Sequence, residues 1–269
     1  MHLVPQTIAN ELDQQITNLL GKTNRYLPKD NEEIVSLFRQ CEKLAGKDAA
    51  TAAILRVRLC TATGDRETGE YWAKNARRLH ASLMSLNCAL SLLYANLGYF
   101  VEANEPVKFI ANPENGLASL VINNPVGHGA LHLAQDMSDR AKAMNIENVK
   151  LPPFVSEAVA AMDLWGDSDN DYLAALDVAG SVMRDNRLLP ATNGLVVGII
   201  HSHNGDLPTV KLEMEVDTDL DGAIELTVDY VMRLSASGIK IPPSLSFEFT
   251  PNRSLEADSA TVLDIAHAD

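Results

Sequence analysis

Through about residue 187 the apolar residues recur at three- and four-residue steps, so most of the core has to be built from amphipathic helices. Ile8, Leu12, Ile16, Leu19 and Leu20 make one stripe, and Ile34, Leu37, Phe38, Cys41 and Leu44 make a second. The second is opened by Asp30 and Glu33, which resemble a capping box. The stretch ASLMSLNCALSLLYANLG (81–98) is apolar on nearly every side and needs enclosing neighbours. Glycines divide these helices at a fixed interval. Gly64, in TGDRE, and Gly98, in LGYFVEA, lie 34 residues apart, and Gly166, in WGDSD, follows after twice that distance. Short turns at such a period imply helical hairpins, neither arm of which buries its stripe without a stacked neighbour. Counting 34 beyond Gly98 reaches His132, inside ALHLAQDMSDRAKAM, while Pro125, Gly127 and Gly129 break the chain earlier. A distorted third unit is therefore expected.

A period of 34 is that of the tetratricopeptide repeat. The second unit resembles that family residue by residue: Leu90, Tyr94, Gly98 and Ala103 fall where its helix-packing Leu, aromatic, turn Gly and small Ala belong, and Pro113 lies within two residues of its terminal Pro. In the first unit Gly64, Asp65 and Ala76 match, whereas Gly69 stands where Ala is expected and Val57 where a small residue is expected. In that family the first helix of each pair lines the concave side. The resemblance places Arg58, Thr61, Leu92 and Asn96 on such a groove, where Arg58 would suit an acidic or extended peptide. A compact bundle of the same helices is the alternative architecture.

After Gly194 the period changes to two. LVVGIIHSH (195–203) and LPTVKLEMEV (207–216) flank Asn204-Gly205, the dipeptide most typical of a two-residue hairpin loop. That loop pairs Ile199 with Val210, Val197 with Leu212 and Leu195 with Met214, putting six apolar residues on one face and Lys211, Glu213 and Glu215 on the other. Leu220, Ile224, Val228 and Val231 then form a stripe on a helix of about 219–236, read as its inward face and ended by Gly238. SLSFEFT (244–250) reads as a further strand, with a last short one at Thr261 to Ile265. The fold class expected is α+β, mainly α: a helical array over 1–190 and a small ββαβ domain with an antiparallel sheet over 191–269.

Charge follows the same division. Residues 1–190 hold 18 basic and 23 acidic side chains, and residues 191–269 hold 4 and 13, so the last segment supplies −9 of the net −14. Direct binding to nucleic acid is disfavoured, and no apolar run approaches the roughly 18 residues of a membrane span. The opening MHLVPQTIANELDQQ lacks the basic and apolar regions of an export signal. Cys41, Cys60 and Cys88 are odd in number and set among apolar neighbours, as expected of reduced core thiols in a cytoplasmic protein.

Several clusters suggest chemistry. Asp217, Asp219, Asp221 and Gly222 spell DxDxDG, the opening of an EF-type calcium loop, but Val228 stands at the twelfth place where a bidentate Glu belongs. Calcium is thus the one cofactor considered, against plain capping of the following helix. His128, His132 and Asp136 are four apart and would share a ridge on an unbroken helix, and His201 and His203 share one strand face. Asp167, Asp169 and Asp171 are expected to cap the helix that follows them. Arg56, Arg58, Lys74, Arg77 and Arg78 form a local basic cluster.

The function expected is protein binding, as adaptor, scaffold or chaperone, with a peptide at the groove or a basic protein at the acidic domain. The alternatives are a metal-dependent enzyme or calcium-binding protein using the aspartates or histidines, and an acidic mimic that occupies a nucleic-acid-binding protein.

Overall fold

The computed structural model describes residues 5–108, 118–146, 150–190, 195–201 and 207–252. Ten helices come first: α1 (Pro5–Lys22), α2 (Glu32–Ala45), α3 (Ala49–Thr63), α4 (Arg66–Arg78), α5 (Leu83–Asn96), α6 (Phe100–Lys108), α7 (Ala118–His128), α8 (Leu131–Ala143), α9 (Pro153–Trp165) and α10 (Asp169–Asp185). Then follow β1 (Leu195–Ile200), β2 (Thr209–Val216), α11 (Leu220–Ser237) and β3 (Leu245–Pro251). The chain is mainly helical with one small sheet among the described residues, as the periodicities require. None of these helices is long and apolar enough to cross a membrane.

The glycine interval is a spacing of hairpins. From α3 to α5 (Ala49 to Leu83) and from α4 to α6 (Arg66 to Phe100) the helix starts repeat after 34 residues. Gly64, Gly98 and Gly166 all adopt φ near +70°, a conformation that side chains with a Cβ avoid. In the third hairpin the turn comes at Gly129 (φ +80°), ahead of His132, so the expected distortion is present. The stripes of the first two helices are buried as expected: Leu12, Ile16 and Leu19 of α1 meet Ile34, Leu37, Cys41 and Leu44 of α2 and Leu55 and Leu59 of α3. The cap of α2 is Asn31, one residue after the Asp30 expected, because its side-chain Oδ1 accepts from the amides of Glu33 and Ile34.

The array does not stay open. Arg25, between α1 and α2, forms a β-bridge with Leu188 beyond α10, and Tyr26 N donates to Arg187 O while Leu189 N donates to Asn24 O. α10 also crosses the start of α6 so closely that a Cβ at Gly98 would lie 2.5 Å from Gly180 Cα. Arg184 of α10 donates to the Gly98 carbonyl and stacks over Tyr99. Asp177 of α10 accepts from Phe100 N at 2.6 Å and Val101 N at 3.1 Å, capping α6 from outside its own chain segment. Asp169 does the same for α8 through His132 N and Leu133 N. The cap of α10 itself is Ser168, in a capping box with Asp171. Asp167 accepts from Ser244 N and Oγ, ahead of β3, so Asp167, Asp169 and Asp171 do three separate jobs where one was expected.

The sheet has the order β1-β2-β3. β1 and β2 pair antiparallel in the expected register, Leu195 with Met214, Val197 with Leu212 and Ile199 with Val210. β3 pairs with β2 in parallel, Val210 with Leu245 through Val216 with Pro251, so the sheet is mixed where a wholly antiparallel one was expected. The reason is the connection: α11 lies between β2 and β3, and a helical crossover returns the chain in the same direction. One apolar cluster runs from Val126, Leu131, Met162, Tyr172 and Leu176 into Leu195, Leu212, Met214, Tyr230 and Phe247. Helices α7–α10, the sheet and α11 share that core.

α11 reverses a further expectation. Leu220, Ile224, Val228 and Val231 face solvent, while Ala223, Tyr230 and Leu234 are buried. The helix carries two apolar arcs, and the aromatic one wins the interior because Tyr230 packs on Phe247, 4.7 Å between ring centres, beside Phe249. The Asn204-Gly205 turn, the strand expected at Thr261 to Ile265, and Pro113 lie outside the described residues.

Gly180→Ala introduces a Cβ that overlaps the Gly98 carbonyl, backbone that cannot swing aside. It is expected to cost about 3 kcal/mol, a fall in melting temperature of roughly 8 °C. Gly127→Ala, with nothing within 4 Å of the added carbon, is expected to hold or raise the melting temperature; thermal melts of the two variants check the pair.

Candidate functional site

Curling the array leaves a cavity of about 360 Å³ on its inner side. It is lined by first helices of successive hairpins: Thr17, Leu20 and Gly21 from α1, Arg58 and Thr61 from α3, Leu92, Ala95 and Asn96 from α5, and Asn123, Asn124, Gly127 and His128 from α7. Phe100, Pro190, Leu195 of β1 and Met214 of β2 complete the wall. All four residues read from the sequence as groove positions, Arg58, Thr61, Leu92 and Asn96, therefore meet at one place. The sheet residues and α7 were not foreseen there.

The polar groups of this wall differ in how well they are satisfied. Arg58 is not a free cation: its guanidinium pairs with Asp13 and donates to Thr17 Oγ1 at 2.9 Å. Asn96 Nδ2 donates to Leu92 O at 2.7 Å, within its own helix. Asn124 Nδ2 and His128 Nδ1, by contrast, are buried and have no hydrogen-bond partner. Burial pushes the His128 imidazole down to about 3, so the ring is neutral at physiological pH. A buried donor and a buried neutral imidazole nitrogen without partners, sealed in the wall beside the cavity, are costly. Turning the two side chains toward the cavity would let a ligand hydrogen-bond both and remove that cost.

The metal-like clusters come apart. His128 ends α7 and faces the cavity, Gly129 breaks the helix, and His132 on α8 lies between two aspartates. Its Nδ1 is 3.1 Å from Asp169 and its Nε2 3.1 Å from Asp163. These hydrogen bonds, Asp169 first, push the imidazole up to about 9. Asp136 pairs with Arg140. His201 pairs with Glu157 at 2.9 Å, and His203 lies outside the described residues. Asp219 caps α11 by accepting from Gly222 N at 2.8 Å, and Asp217 is held by Arg25 at 3.0 Å. With Asp217, Asp219 and Asp221 so disposed, no group of three or more His, Cys, Asp or Glu among the described residues is arranged to hold a metal ion. The basic cluster is likewise divided, with Arg56 stacked on Trp72, Arg58 at the cavity, and Lys74 and Arg77 beside Glu70 and Tyr94.

Neither family models, curated proteins nor solved structures yield a match to this chain. What the cavity does has to be argued from its own chemistry.

The His132 pairing has a pH signature. A histidine whose folded value of about 9 exceeds the ordinary 6.5 adds stability that is complete below the unfolded value and disappears as pH rises through the folded one. The melting temperature of the protein is expected to exceed that of His132→Gln by most near pH 6, with the gap closing by pH 10. Melts of both proteins across that range check this; a gap independent of pH contradicts it.

Proposed function

We propose that the chain is a protein-binding adaptor, scaffold or chaperone of a tetratricopeptide-like kind, whose curved array takes an extended segment of a partner protein on its inner side. The observation that supports this reading most is the convergence of Arg58, Thr61, Leu92 and Asn96 on one cavity, beside the buried and unpartnered polar atoms of Asn124 and His128. The volume is at the small end for a binding pocket and suits one side chain or chain end rather than a large cofactor.

Because Arg58 is already paired with Asp13, the segment favoured is an uncharged extended one rather than an acidic one. A peptide or carboxamide group offers a carbonyl to Asn124 Nδ2 and an N–H to the neutral His128 ring, while Leu20, Leu92, Phe100 and Met214 contact its apolar parts. A cytoplasmic setting fits the three buried thiols, Cys41, Cys60 and Cys88, which burial pushes up to about 12, 12 and 11.

Asn124→Leu separates binding from folding. Removing an unsatisfied buried donor is expected to leave the melting temperature unchanged or higher, whereas proteins retained by the wild-type chain in affinity purification with mass spectrometry are expected to fall at least tenfold. Retention that survives the substitution contradicts the reading.

A further inference from the structure

The outward arc of α11 is an apolar feature that the described fold leaves unburied. Leu220, Ile224, Val228, Val231 and Met232 are each between 52% and 67% exposed; the first four follow one another at three- and four-residue steps along an 18-residue helix, and Met232 lies four residues beyond Val228. A contiguous apolar patch of a few hundred Å² on a monomer is often a functional surface. These side chains cannot be turned inward, because the opposite arc of Ala223, Tyr230 and Leu234 is already fixed in the core. None of them lines the inner cavity, so this surface is separate from the groove and does not depend on the function proposed for it.

Charge around the stripe selects its occupant. Asp221 and Glu225 are exposed along its margin. Asp229 follows one turn on, and the one base of the helix, Arg233, is spent on Asp229 and Asp185. A second copy of the chain would bring two such acidic margins together on molecules of net charge −14. The chain's own residues 253–269 carry four acids against Arg253, and an anionic lipid surface has the same sign. What remains complementary is a helix with apolar anchors at the same steps and basic residues on its edges. We propose that the exposed face of α11 docks a basic amphipathic helix of a partner protein, with Ile224 and Val228 at the centre of the contact.

The test uses the full chain and two labelled 18-residue synthetic helices that share a leucine stripe, one with lysine edges and one with glutamate edges, read by fluorescence anisotropy. The lysine-edged peptide is expected to bind and the glutamate-edged one to fail. Ile224→Ser with Val228→Ser is expected to weaken binding at least tenfold without changing the circular dichroism or the melting temperature, since both side chains are exposed. Glu225→Lys, which leaves the stripe intact, should weaken it severalfold. Absence of binding by the lysine-edged peptide, or binding indifferent to the serine substitutions, overturns the proposal. Sedimentation velocity supplies the last arm: a wild-type dimer that the serine variant converts to monomer overturns it in favour of a second copy.

Discussion

Three carboxylates at and just before α10 each accept backbone or hydroxyl protons from a different part of the chain. Asp177 caps α6, Asp169 caps α8, and Asp167 Oδ2 accepts both the amide and the hydroxyl of Ser244 at 3.0 and 2.6 Å. Since Ser244 gives its hydroxyl proton to Asp167, Tyr172 of α10 donates to the serine oxygen at 2.8 Å. Helix starts and buried amides are expensive to leave unpaired, so each of these aspartates fixes where its partner element begins. Gly180 lets α10 lie against the backbone at Gly98 while it does so. The placement of α6, of α8 and of the sheet depends on this one helix.

Curvature of the array follows from the same constraint. α10 draws α6 inward, and the strand-like segment after it bridges back to Arg25 beside α1. With its two ends stitched, the concave side becomes a half-open cleft, and β1 and β2 contribute Leu195 and Met214 to its wall. The sheet is therefore part of the cavity's construction. Apolar packing then makes α7–α10, the sheet and the inner arc of α11 parts of one interior, while α1–α3 and α3–α5 pack in clusters of their own.

Local features were legible in the sequence because local physics decides them. The αL glycines at 64, 98 and 166 and the strand register set by alternating apolar residues need no knowledge of distant partners. The tetratricopeptide-like register pointed to Arg58, Thr61, Leu92 and Asn96, and these four do line one cavity. Where distant partners decide, the reading went astray. Direction of β3 depends on the crossover through α11, and the choice between that helix's two arcs depends on Phe247 and Phe249. Asp13, 45 residues away, neutralises Arg58, and the openness of Asn124 and His128 is a property of the assembled wall. The one available signal for His128 was its position between two glycines, which marks a helix end.

The central claim is that α10 makes the helical array and the sheet one cooperative structure. Native-state hydrogen exchange on the full chain reads this residue by residue. The account predicts that the amides of β2 and β3, of α8–α10, and of Ser244 open together, with one free energy equal to that of global unfolding. Strand amides that exchange at a distinctly lower free energy while α10 stays protected would show the sheet to be an independent appendage and would contradict it.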